Sequence, residues 1–129
     1  LMPLRKAYEI EEVVLDPKNY SESSSRSRFL DTIKSTKVLF AESRVPIATC
    51  CINASGFNWA QIGGVYTVPE KRSCGISARL MAELSEYTAE NNKDLTLFVK
   101  RDNLPAAKLY SNCGFILSGD FRISYLERR

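Results

Sequence analysis

Apolar residues recur along the chain in two rhythms, and the changes between them mark its elements. Over Arg5 to Leu15, Ala7, Ile10, Val13 and Val14 stand among charges at helical spacing, and Asp16-Pro17 ends the pattern, which predicts a first helix. Tyr20 to Ser27 is rich in serine, whose hydroxyls compete for backbone hydrogen bonds, and reads as a turn or helix entry; Phe29, Leu30 and Ile33 then predict a short second helix. From Lys37 the rhythm becomes strand-like. Val38 to Glu42 and Val45 to Asn53, rich in β-branched residues and separated by Ser43-Arg44, predict a hairpin. Trp59 to Val68 predicts a third strand, in which Gly63-Gly64 marks a bulge or a close backbone approach.

Pro69 ends that strand, and Ile76 to Asn91 predicts a long amphipathic helix with Ile76, Leu80, Leu84 and Tyr87 on one stripe. Leu95 to Lys100 is a strand of the buried type. A further helix over about Pro105 to Asn112 sets Ala106, Tyr110 and Cys113 on one face, with Gly114 as its stop. Phe115 to Leu117 and Phe121 to Leu126 are the last expected strands. The order predicts an α/β (α+β) fold, a mixed central sheet with helices on both faces, in a single domain over residues 1–129 without repeat or linker.

Composition removes whole classes of chemistry. The 129 residues include no histidine, which excludes Ser-His-Asp and Cys-His nucleophile systems and imidazole-ligated zinc or haem. Eighteen basic against fifteen acidic side chains leave a net charge of +3 with no long block of one sign, so no nucleic-acid partner is expected. Cys50, Cys51, Cys74 and Cys113 form no C-x-x-C pair; buried free thiols of a reducing cytoplasm are expected, and no metal. No apolar run approaches the roughly 18 residues of a membrane span, and the start is not a signal peptide, so a cytoplasmic protein without a membrane partner is expected. Leu1 in place of a methionine suggests the C-terminal part of a longer protein.

The stretch richest in chemistry runs from Val65 to Leu80. A strand ends, a short loop holds Arg72, Ser73, Cys74 and Gly75, and a helix opens at Ile76-Ser77. Helix N-termini carry unpaired N–H groups and a partial positive charge, so small residues there open a cradle for pyrophosphate, with Arg72 as an added cation. The competing reading is an ordinary junction with a turn glycine. A Walker A loop and a G-x-G-x-x-G motif are absent. A second segment, Asn103 to Phe115, has Asn at a helix start, Tyr110 on the helix and Gly114-Phe115 leaving it.

Together the segments resemble the GNAT superfamily of acyl-CoA-dependent N-acyltransferases. Arg72, Gly75 and Ser77 match its Q/R-x-x-G-x-G/A motif, and Asn103 to Phe115 matches its N-x-x-A-x-x-L-Y-x-x-x-G-F pattern. Ser77 departs from the usual Gly or Ala, and its hydroxyl is expected to alter the phosphate contact. The resemblance covers about residues 37 to 127. Gln61 to Thr67 with Arg122 to Tyr125 looks like the subgroup related to the C-terminal domain of glycine N-acyltransferases.

The resemblance implies that acetyl-CoA is the co-substrate and that its acetyl group passes to a primary amine of a small molecule or peptide by direct attack, in a monomer or homodimer. It implies that the strands ending at Val68 and beginning at Leu95 splay, that backbone groups of Val65, Tyr66 and Thr67 bond the pantetheine arm, and that Arg72, Ser73, Cys74, Gly75, Ile76 and Ser77 hold the pyrophosphate. Asn103 contacts pantetheine or positions its helix. Tyr110 is the general acid for the departing thiolate. Glu9, Glu11 and Glu12 are alternatives for the base, while Gln61 and Asn53 are alternatives for orienting the acceptor. Phe57, Trp59, Tyr66 and Tyr125 either wall the acceptor pocket or pack the core. Cys74, beside Lys71 and Arg72 at a helix start, is either a reactive thiol or a tolerated small residue. The competing class is a non-catalytic CoA sensor of a larger protein, and a third reading is a nucleic-acid binder using Lys71, Arg72 and Arg79.

Overall fold

A computed structural model describes residues 1–13 and 16–119. Contacts divide the chain into one compact unit, Leu1–Leu97, and a second, Phe98–Arg129. In the first, α1 (Met2–Tyr8) passes into a π-helical turn, Glu9–Val13, and α2 spans Glu22–Ser35. The strands are β1 (Val38–Ser43), β2 (Val45–Ser55), β3 (Trp59–Thr67) and β4 (Asp94–Leu97), with α3 (Ile76–Glu90) between the last two. The sheet order is β1-β2-β3-β4, antiparallel except for the parallel β3–β4 pair.

The hairpin forms as expected, because Arg44 takes a positive φ of 64° at the turn. Along β2, Ala48 to Ile52 is buried without alternation, the sign of a strand covered on both faces. Helices α1 and α3 pack on the sheet and supply that cover. The core joins Leu4 and Phe29 to Cys50, Ile52, Ala60, Ile62, Met81 and Leu84. The mixed sheet with packed helices is the architecture the sequence predicts.

Several details differ from the pattern. The first helix begins at Met2 rather than Arg5, with Pro3 in its first turn where a missing N–H costs nothing, and its backbone changes to π at Glu9. Of the two readings of the serine run, helix entry is the one that forms, Ser21 capping α2 by accepting from Ser24 N–H at 3.4 Å, but the helix it opens has 14 residues and is not short. The α3 stripe is rotated, burying Leu80, Met81, Leu84 and Thr88 while Tyr87 lies at the surface beneath the Lys37 ammonium. Cys50 and Cys51 are buried, but Cys74 and Cys113 are exposed, correcting the expectation of four buried thiols.

In the second unit, α4 spans Leu104–Asn112. Asn103 caps it by accepting from Ala106 N–H at 3.3 Å, and Gly114 ends it with a φ of 95°. Ala106 and Tyr110 are half-buried and Cys113 is exposed, so the expected common face is only partly kept. Phe98 to Lys100 is not strand, and neither is Phe115 to Leu117, where Ile116 and Leu117 are exposed. The expected strand from Phe121 to Leu126 lies outside the described residues.

Candidate functional site

The β3–β4 ladder has only four pairs, from Trp59↔Asp94 to Ile62↔Leu97. Beyond Ile62, β3 pairs with β2 alone among the described strands, and the register with β2 shifts between Thr49 and Cys51. Gly64 sits at that shift with a φ of 61°, so the glycine pair does mark a bulge. The ladder stops where β4 ends at Leu97.

Past the bulge, Val68 N–H donates to Ile47 O at 2.9 Å, and Thr49 pairs with Tyr66. Alternation of an antiparallel ladder then turns the backbone of Thr67 away from β2. Its carbonyl receives Arg72 Nε at 2.9 Å. The Thr67 and Ser77 hydroxyls share a hydrogen bond, tying the end of β3 to the first turn of α3.

The loop between them is built to leave α3 open. Gly75 stands at the N-cap position with a φ of 78°, and no side chain caps the helix. A Cβ at Gly75 would meet nothing within 4 Å, so the N-cap position itself is open, and the first-turn N–H groups of Ile76 and Ser77 have no intrahelical partner. Ser73 is also left-handed, at 61°, and Ser73, Cys74 and Gly75 are exposed. Unpaired donors, a positive helix end and open space suit the diphosphate of a nucleotide-type cofactor. Ser77 spends its hydroxyl on Thr67.

Arg72 has partners the sequence did not reveal. Its Nη2 donates to Glu11 Oε2 at 2.9 Å, and its guanidinium carbon lies 5.3 Å from the centre of the Tyr66 ring. The Glu11 bond raises the Arg72 guanidinium above its ordinary value. Burial raises the Tyr66 phenol, and the Glu11 carboxylate adds to that rise. Sixty-one residues separate Glu11 from Arg72, so only the packing of the π-helical turn against the loop reveals the pair.

The three glutamates of the first helix separate in role. Glu9 is 2% exposed, pairs with Arg5 Nε at 3.0 Å and lies 3.8 Å from Arg28. Both contacts are to Oε1, and Oε2 is buried without a hydrogen-bond partner. Glu11 holds Arg72, and Glu12 is half-buried. The Asn53 side chain lies close over Gly63, where an added Cβ would come within 2.8 Å of it. Gln61 is half-buried on β3. Of the aromatic candidates, Tyr66 is buried, Trp59 is partly exposed, Phe57 is fully exposed, and Tyr125 lies outside the described residues. The exposed Cys74 thiol donates to its neighbour's carbonyl, Arg72 O, at 3.5 Å. In the second unit, Tyr110 stacks edge-on with Phe115, their ring centres 6.1 Å apart. Among the described residues no group of His, Cys, Asp or Glu could hold a metal ion. No described helix is long and apolar enough to cross a membrane.

A mixed four-stranded sheet with packed helices, a bulged β3 and an uncapped start of α3 make up an α/β architecture. Residues 4–115 match the Acetyltransferase (GNAT) family, and the chain belongs to it. A protein of Clostridium acetobutylicum described as an acetyltransferase, solved with acetyl-CoA, is similar with a TM-score of 0.75 at 20% identity, over 96% of this chain and 86% of that one. A transcriptional regulator from Bacillus halodurans gives a TM-score of 0.76 at 18% identity, over 95% and 93%. An aminoglycoside antibiotic 6′-N-acetyltransferase from Acinetobacter haemolyticus gives 0.68 at 16%, over 98% and 92%. At these identities the likeness is one of fold. No curated protein matches the chain.

Proposed function

We propose that residues 1–129 act as one acyl-CoA-binding domain, in the cytoplasm, that transfers the acetyl group of acetyl-CoA to a primary amine. The observation that carries this reading is the uncapped start of α3, opened by Gly75 and joined through Ser77 to a β3 end whose backbone faces outward at Thr67. Backbone N–H groups from Ser73 to Ser77 hold the diphosphate, and the β3 segment of Val65, Tyr66 and Thr67 holds the amide-rich pantetheine arm as an added strand, through the outward backbone at Thr67, while the Tyr66 backbone stays paired with Thr49. The acceptor nitrogen attacks the thioester carbon, and a backbone N–H beside the bulge receives the developing oxyanion. The C–S bond breaks, the nitrogen releases its proton to water, and Tyr110 protonates the thiolate, a modest task because a free thiol has a pKa of only about 8.5, and is itself reprotonated from water. Asn103, as the cap of α4, positions that helix. The subgroup related to the glycine N-acyltransferase C-terminal domain is the one we assign, on Gln61 to Thr67 with Arg122 to Tyr125. Support for an amine acceptor comes from the aminoglycoside N-acetyltransferase of the same fold.

A second reading, an acyl-CoA sensor without turnover, is favoured by the transcriptional regulator of the same fold. Thermal melting with acetyl-CoA, CoA and an oligonucleotide separates the classes. A ligand at one hundred times its dissociation constant stabilises by about 2.7 kcal/mol. Both CoA species are expected to raise the melting temperature and the oligonucleotide is not; no response to either CoA species refutes both readings. Loss of thioester absorbance over an amine panel then decides between enzyme and sensor. In the enzyme, Tyr110→Phe slows turnover and leaves acetyl-CoA affinity unchanged.

A further inference from the structure

Arg72 stands on the carbonyl that an added strand would use. Alternation along β3 turns Thr67 outward, and Arg72 Nε already donates to Thr67 O at 2.9 Å. Glu11 holds the far end of the same guanidinium at 2.9 Å, and the Tyr66 ring lies under it. In this arrangement Thr67 and Glu11 hold the two ends of the guanidinium, Nε and Nη2.

The pair is also easily exchanged. Arg72 and Glu11 side chains are 43% and 42% exposed, and ion pairs that exposed hold only weakly. An anion arriving at the start of α3 offers the guanidinium a better partner than Glu11, since phosphate accepts its planar fork and carries more charge. A ligand without that anion offers nothing in return.

We propose that Glu11 is a positioning residue that parks Arg72 across the outward edge of β3, so that any ligand of the edge must displace the arginine, and only a thioester carrying a diphosphate gains an arginine contact in return. This rests on the acyl-CoA reading above and deepens it: the pair selects full CoA thioesters against acyl-pantetheine fragments. Glu11 acts here through Arg72 and is a positioning residue.

The test compares CoA with pantetheine, by calorimetry or competition, on the whole chain. Glu11→Gln is expected to bind pantetheine up to about fivefold more tightly, the scale of one exposed ion pair. CoA affinity rises with it. Arg72→Met is expected to bind pantetheine more tightly and CoA less tightly, so the preference for CoA falls. Sodium chloride screens the parked pair, and pantetheine affinity rises with salt in the native chain but not in Glu11→Gln. Both residues are surface-exposed, and circular dichroism confirms folding of each variant. Unchanged or weaker pantetheine binding in Glu11→Gln, with CoA still bound, overturns this inference alone. Failure of the native chain to bind CoA overturns the acyl-CoA reading with it.

Discussion

Helices α2 and α3 are of nearly equal length, 14 and 15 residues, and they begin in opposite ways. At α2 the chain supplies its own cap, with Ser21 taking the N–H of Ser24 and serines crowding the first turn. At α3 it supplies none, and places there the one residue without a side chain, in a conformation that L residues resist. Both helices leave the same orphan donors. The difference teaches that an uncapped start is a choice of sequence: a cap stabilises by about 1 kcal/mol, and forgoing it keeps donors available to something from outside.

Gly75→Val attacks that difference most directly. A β-branched residue resists a φ of 78°, at about 1–2 kcal/mol, and its methyls enter the space before the helix. Acetyl-CoA binding is expected to disappear in a titration while the urea midpoint falls modestly; retained binding places the cradle elsewhere. The thiols extend the contrast, since Cys74 lies open at the start of α3 whereas burial pushes the Cys50 thiol up to about 12. An unfolded chain ionises this thiol near 9, so stability that is full below that pH is lost as pH rises toward 12. Urea midpoints measured from pH 8 upward are expected to decline, and Cys50→Ala to decline less steeply. Cys74 is expected to react with iodoacetamide in the folded protein several-fold more slowly when acetyl-CoA is bound, as mass mapping would show. Ser21→Ala is the smallest change: about 1 kcal/mol of stability lost, with acetyl-CoA affinity untouched.

Much of this was legible in the sequence because period-2 and period-3.6 patterns record which face is buried. The hairpin is legible in those periods, whereas the bulge at Gly63-Gly64, the stop at Gly114 and the loop before α3 are legible in their glycines. The serine run left turn and helix entry open, since hydroxyls that oppose helix in the middle of a segment favour it at the start; Ser21 stands at the start, and the entry is what forms. Leu95 to Lys100 reads as a strand of buried type, yet β4 ends at Leu97, where pairing with β3 ceases; apolar content does not say where a partner runs out. Glu11 was legible only as one of several glutamates. Its pairing with Arg72 depends on how the π-helical turn is placed against a distant loop, which no local pattern records. The burial of Glu9 between arginines was hidden for the same reason.

The hydroxyl bond between Thr67 and Ser77 bears on how this motif can vary. Serine departs from the small apolar residue usual at its position, but a hydroxyl already spent on Thr67 is withdrawn from the phosphate side, so toward a ligand Ser77 resembles alanine. The two positions therefore behave as one compound letter. Thr67→Val alone would strand the Ser77 hydroxyl, and Ser77→Ala alone would strand that of Thr67, whereas changing both restores a consistent spelling. Substitutions at the end of β3 and the start of α3 are expected to be tolerated in pairs and penalised singly.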